Sequence, residues 1–190
     1  MKALLAGLLL FFATHSISIV APHWRDRFVA RIGPALWRGL YSLVSLLALV
    51  LVIRGFAAAR AAPVVWYAPP AWMHEVTLVL MLPVFPLLLA AYFPGRIQAA
   101  AKHPMLAAIK LWAFAHLLAN GTAADVLLFG GFLAWAVVDR ISLKRRPPRA
   151  VPGLPASKWN DAIVVVAGLG LYALFVGWAH LRLFGVSPLA

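Results

Sequence analysis

Leu36 to Ile53 reads LWRGLYSLVSLLALVLVI, eighteen residues whose one charge is Arg38. A hydrocarbon core about 30 Å thick is crossed by roughly 20 apolar residues, since each residue of helix advances about 1.5 Å. Ser42 and Ser45 are too few to form the polar face that a surface helix needs. The stretch reads as a membrane span, entered through Gly33-Pro34 and left through Arg54-Gly55.

The remainder of the chain has the same character. Of its 190 residues 64% are hydrophobic and 12% charged, with a mean hydropathy of +0.92. A soluble domain is about half apolar and about a quarter charged, so a water-soluble globule is excluded. Disorder, which needs the opposite composition, is excluded too. There is no cysteine, which removes disulfides, thiolate nucleophiles and iron–sulfur ligation. A metal or haem ligand must therefore come from the six histidines, the methionines or the five carboxylates.

Five further spans follow, at about residues 3–20, 72–93, 104–119, 123–138 and 162–184. The first reads as a retained helix, not a cleaved signal, because no small-x-small site follows it. Pro83 and Pro86 should kink the third span. The fourth, with 16 residues, reaches only about 24 Å. After an Asn120-Gly121 turn, Thr122 and Asp125 form a capping-box pattern. Asn160-Asp161 is expected to cap the last span, and Gly168, Gly170 and the Ala173/Gly177 pair to permit close helix approach. The expected fold is all-α, a polytopic transmembrane bundle of six helices forming a single domain over 1–190.

Six spans place both ends of the chain on one side. Twelve Lys and Arg lie in the loops after the first, third and fifth spans, six of them between Arg140 and Lys158. Four, Lys2, Arg54, Arg60 and Arg182, lie opposite. The positive-inside rule then puts the first set in the cytoplasm and both termini in the periplasm. The net charge of +12 is assigned to orientation and to lipid headgroups of the bilayer, not to nucleic acid.

Polar side chains within spans are costly and mark function. His15 lies within the first span and His116 late in the fourth. Two histidines on different helices are what a six-coordinate haem requires; the plainer alternative is a hydrogen bond to a helix carbonyl. On the fourth helix His116 shares a face with Trp112, Ile109 and Met105, a stripe suited to a large apolar ligand or to ordinary packing. His103 lies 140° away by helical geometry, so it cannot bind the same metal. It is placed instead at the cytoplasmic mouth, where the helix N-terminus, Lys102 and Arg96 would suit an acidic group such as a haem propionate. Glu75, Asp125 and Asp161 fall in first turns, Asp26 and Asp139 at edges beside arginines, and no carboxylate pair supports hydrolysis.

The run from His103-Pro104-Met105 through Leu111-Trp112-Ala113-Phe114-Ala115-His116-Leu117-Leu118-Ala119-Asn120-Gly121, with Leu128-Phe129-Gly130-Gly131-Phe132, resembles the NnrU family. The opening, Phe11-Phe12-Ala13-Thr14-His15-Ser16 and Trp37-Arg38-Gly39-Leu40-Tyr41-Ser42, does so too. The resemblance covers nearly the whole chain and implies a bacterial inner-membrane protein linked to denitrification. Through the related plant 15-cis-zeta-carotene isomerases, which use haem b with two histidine ligands, it implies haem b held by His15 and His116. An enzyme of that kind would isomerise a carotenoid or other isoprenoid lipid. The other expected partners are an apolar isoprenoid ligand or a respiratory membrane protein, the latter served by a non-haem scaffold. Lys102-His103-Pro104 is similar to the Arg-His-Pro motif of isoprenylcysteine-type methyltransferases, which use S-adenosylmethionine, but their acidic pair is missing here.

Overall fold

A computed structural model describes residues 1–147, 149 and 152–189. Its helices are, in order, α1 (Lys2–Val20), α2 (Pro22–Ile32), α3 (Pro34–Arg60), α4 (Met73–Met81), α5 (Val84–Ala90), α6 (Arg96–Ala101), α7 (Pro104–Ala119), α8 (Ala123–Asp125), α9 (Gly131–Ser142), α10 (Asn160–Leu174) and α11 (His180–Phe184). The π-helical segments Val126–Gly130 and Phe175–Ala179 lead into α9 and α11. Among the described residues there is no strand, only an isolated bridge between Val65 and Thr122. The fold is all-α.

Four helical stretches are long and apolar enough to cross a membrane: Lys2–Val20, Pro34–Arg60, Met73–Ala90 and Asn160–Phe184. Leu9, Leu43 and Val166 are 65% or more exposed on them, a surface suited to lipid and not to water. This is a membrane protein. The expected spans at 104–119 and 123–138 are not in that set. Pro104–Ala119 is apolar but short, and the helical stretch from Ala123 to Ser142 carries Asp125, Asp139 and Arg140. Two short helices, α2 and α6, were not expected. Both follow an apolar stretch and open beside a proline or glycine that restarts the helix.

The chain forms two compact units. The first comprises Met1–Tyr67 and Thr122–Gly131. Its frame is α1 against α3, and the small residues set their closeness. A Cβ on Gly7 would lie 2.6 Å from the Val52 nitrogen, and one on Gly55 2.6 Å from the Leu4 Cα. Leu4 pairs with position 55 and Gly7 with 52, so the two helices run antiparallel. Such approach, backbone on backbone, is what holds helices together where lipid removes the hydrophobic drive. It also explains why α3 does not stop at Arg54: Gly55 and Ala59 are buried while Arg54 is exposed. The α8 end is tied to this frame by the Ala123 N–H donating to the Val64 carbonyl, at 2.7 Å. The capping box forms as expected, with the Asp125 N–H on Thr122 Oγ1 at 3.3 Å and the Thr122 N–H on Asp125 Oδ2 at 3.0 Å.

The second unit comprises Ala68–Gly121 and Phe132–Ala190. Here α7 packs on α4 and α5, and α5 on α10. Pro83 separates α4 from α5, as a missing N–H and a ring clash require, while Pro86 is accommodated within α5. A Cβ on Gly168 would lie 2.6 Å from the Pro86 nitrogen, so this glycine is the small residue that lets α10 approach. Gly170 and Gly177 have nothing within 4 Å and Ala173 is exposed, so the expected Ala173/Gly177 face is not a packing seam. The expected cap on α10 also differs. The N-cap residue is Trp159 and no side chain caps it. Asn160 instead donates to the Pro94 and Pro155 carbonyls at 2.8 and 3.1 Å. Asp161 accepts the Arg96 and Ile97 N–H groups at 2.9 and 3.0 Å.

Candidate functional site

In the first unit, α1 carries His15 one helical turn beyond Phe11. The His15 Nδ1 lies 2.8 Å from the Phe11 carbonyl. A carbonyl can only accept, so Nδ1 bears the hydrogen and the lone pair of the neutral ring is on Nε2. The imidazole stacks on the Phe11 ring, with centroids 3.8 Å apart and planes 14° apart. Tyr41 of α3 closes in at 5.2 Å, and Trp37 stands beside Tyr41 at 6.0 Å. The ring is thus gripped at Nδ1 and on one face, which fixes both tautomer and orientation.

The second unit repeats the arrangement on α7. His116 Nδ1 lies 2.8 Å from the Trp112 carbonyl, again four residues back, and so places its lone pair on Nε2. The Trp112 ring is 5.5 Å from the imidazole, and Phe132 meets Trp112 edge-on at 5.6 Å. The Asn120 backbone N–H and side-chain amide both donate to the His116 carbonyl, each at 2.9 Å. The Thr77 hydroxyl of α4 lies 2.9 Å from the Ala115 carbonyl. The expected pairing of Trp112 with His116 is present. The polar grip on this helix end has no counterpart in the sequence pattern, and Asn120, at the expected turn, has an extended backbone.

His103 is the N-cap residue of α7 and makes no side-chain cap. Lys102 before it has φ of 60°, and the His103 N–H donates to the Ala101 carbonyl at 2.6 Å. This is a γ-turn that reverses the chain between α6 and α7. Burial lowers the His103 pKa first, then Arg140, with Arg146 and Lys102 adding to it and Asp139 opposing. The charges that act on His103 are those of Arg140, Asp139, Arg146 and Lys102, of which only Lys102 was expected. Asp139 and Arg146 themselves form a mostly enclosed ion pair at 2.6 Å, with side chains 11% and 15% exposed. Of the remaining histidines, His74 and His23 are exposed and His180 Nδ1 bonds the Val186 carbonyl at 2.7 Å.

Among the described residues no group of three or more His, Cys, Asp or Glu could hold a bare metal ion. A haem needs fewer protein ligands, because its porphyrin supplies four nitrogens and leaves two axial positions. A histidine whose Nδ1–H is tied to a carbonyl is the form in which imidazole ligates. His15 and His116 both fit. The signal that could have identified their neighbours is an aromatic residue four positions before each histidine, Phe11 and Trp112. Tyr41, Thr77 and Phe132 come from other elements, and spacing within one helix could not disclose them.

No curated protein and no solved structure matches the chain. A family model described as NnrU protein matches residues 3–188. With an all-helical membrane architecture and a match that spans almost every residue, the chain belongs to the NnrU family.

Proposed function

We propose that this protein binds haem b with His15 and His116 as axial ligands and supports nitrogen-oxide metabolism, in denitrification, from the bacterial inner membrane. The observation that carries the reading is the shared state of the two rings: Nδ1 held at 2.8 Å by the carbonyl four residues back, and an aromatic side chain against each. When bound, haem b supplies a one-electron redox centre. The protein's own part is to hold each imidazole in the ligating tautomer and to exclude water with Phe11, Tyr41, Trp112 and Phe132. The charges of Lys102, Arg140 and Arg146 around His103 suit an acidic group. In this reading the chain crosses the membrane six times as a single domain, with both termini periplasmic.

Wild type, His15→Ala and His116→Ala, purified with haem supplied during expression, test the assignment. Wild type should show the Soret band of six-coordinate haem, and each variant should lose it or shift it. His103→Ala should leave its position unchanged. No Soret band in wild type, or the wild-type band in both alanine variants, overturns haem ligation. A strain lacking the protein should lose nitrite and nitric oxide reduction and regain it with wild type but not with either variant. A reporter active only in the cytoplasm should work when fused at Ala156 and fail at Ala68; the reverse sinks the topology.

A further inference from the structure

We infer that the second unit carries a binding site for an anionic phospholipid, its headgroup phosphate on Arg96 and Lys158 and an acyl chain along the groove between α5 and α10. Two clefts each draw on the first turn of α6. One, of about 530 Å³, is lined by Pro94, Arg96, Ala99, Ser157 and Lys158. The other, of about 340 Å³, is lined only by apolar residues, among them Leu82, Pro86, Leu87, Ile97, Val165 and Leu169. Arg96 lines the first and its neighbour Ile97 the second, so consecutive residues of α6 serve the basic and the dry cleft.

The architecture keeps the two in register. Asp161 accepts the backbone N–H groups of both Arg96 and Ile97, which anchors that turn to α10. The Arg96 charge also attracts the Asp161 carboxylate, but no ion pair among the described residues ties up the Arg96 side chain, which lines the cleft. Asn160, buried, ties Pro94 and Pro155 together, and the Leu154 N–H donates to the Tyr92 carbonyl at 2.8 Å. These bonds hold the segment bearing Ser157 and Lys158 over the Pro94–Arg96 edge. The Lys158 ammonium is 5.5 Å from the Trp159 ring centroid, an amphipathic neighbour of the kind found at headgroup level. Among the described residues neither Arg96 nor Lys158 forms an ion pair. The occupant follows from the pairing of features. Two exposed cations outside any ion pair favour a phosphate, the nearby cleft without polar lining favours a hydrocarbon chain, and the ligand that has both and surrounds a membrane protein is an anionic phospholipid. This site does not depend on haem.

Native mass spectrometry of the detergent-purified protein with equal phosphatidylglycerol and phosphatidylcholine tests it. Wild type should retain phosphatidylglycerol in roughly thirtyfold excess, as two basic contacts to a charged headgroup would give. Arg96→Gln with Lys158→Gln should abolish that preference; both side chains are exposed, and Lys158→Gln alone should show part of the loss. Leu169→Trp, filling the dry cleft, should lower phosphatidylglycerol retention while helicity by circular dichroism stays at the wild-type value. Lys144→Gln with Arg145→Gln, exposed cations elsewhere, should leave the preference intact. An unchanged preference in the Arg96/Lys158 variant, an equal loss in the Lys144/Arg145 control, or displacement of the lipid by inorganic phosphate alone overturns the inference.

Discussion

Replacing Gly55 by alanine should break the α1–α3 pair. The new Cβ would lie 2.6 Å from the Leu4 Cα and 2.7 Å from the Ala3 carbonyl carbon. Ordinary contact begins at 3.4 Å, so α1 must retreat by at least the difference, 0.8 Å. Every atom in the way is backbone, and no rotamer change can relieve it. Overpacking of this kind costs about 1–3 kcal/mol, and the backbone-only clash places Gly55→Ala near the top, about 3 kcal/mol. That is more than a hundredfold in the folded-to-unfolded ratio. Gly7→Ala, which meets the Val52 nitrogen at 2.6 Å and the Leu51 carbonyl carbon at 2.9 Å, should lose about 2 kcal/mol by the same argument. Gly39→Ala, on the same helix with nothing within 4 Å, meets no clash and should hold stability or raise it by up to about 1 kcal/mol. Unfolding by sodium dodecyl sulfate in mixed micelles, followed by circular dichroism, gives all three values. Equal midpoints for Gly55→Ala and Gly39→Ala would refute the claim that small residues set this interface.

Asp139→Asn leaves Arg146 charged and mostly enclosed, and should destabilise by about 3 kcal/mol; adding Arg146→Gln should recover part of it, as a double-mutant cycle will show. Thr122→Ala removes the capping hydroxyl from Asp125 and should lose about 1 kcal/mol in the same assay. His103 is disfavoured as a cation by burial and by Arg140, Arg146 and Lys102, with only Asp139 opposing. Its lowered pKa means a stability contribution fully present above the ordinary value of 6.5 and lost as pH falls through the folded value. Wild type should therefore weaken between pH 7 and 5 more than His103→Gln does, and parallel curves would remove His103 as the cause.

Hydropathy located the four long apolar helices because burial in lipid needs nothing but length, and it counted the shorter stretches 104–119 and 123–138 as spans too. Pro104–Ala119 coincides with its expected bounds, since a proline and an extended asparagine mark its ends. It failed where a helix outlasts its apolar run. Arg54 reads as an exit, yet α3 continues six residues further, with Gly55 packed against α1 and Ala59 buried. The burial pattern Ala48, Val52, Gly55, Ala59 has helical spacing and could have carried the boundary through. Asn160 and Asp161 were legible as helix-end residues, but not as ties to Pro94, Arg96 and Ile97, more than sixty positions away. Of the candidate residues, His15, His116 and Trp112 are named from their positions along the helices alone. The stacking of Phe11 and the approach of Tyr41, Thr77 and Phe132 depend on tertiary packing, which a single helix does not encode.

The composition of the first unit has a consequence for the order in which the chain is made. Its α1–α3 hairpin is complete once residue 60 has emerged, but Thr122 and Ala123, which meet Val64 and Val65, lie beyond the 54 residues of Ala68–Gly121. At synthesis rates of about 5–20 residues per second, this is a wait of roughly 3–11 s. During it the Val64 carbonyl must be satisfied by water or headgroups. The hairpin is thus a waiting template, and the segment between its two halves has to be threaded before the unit can close.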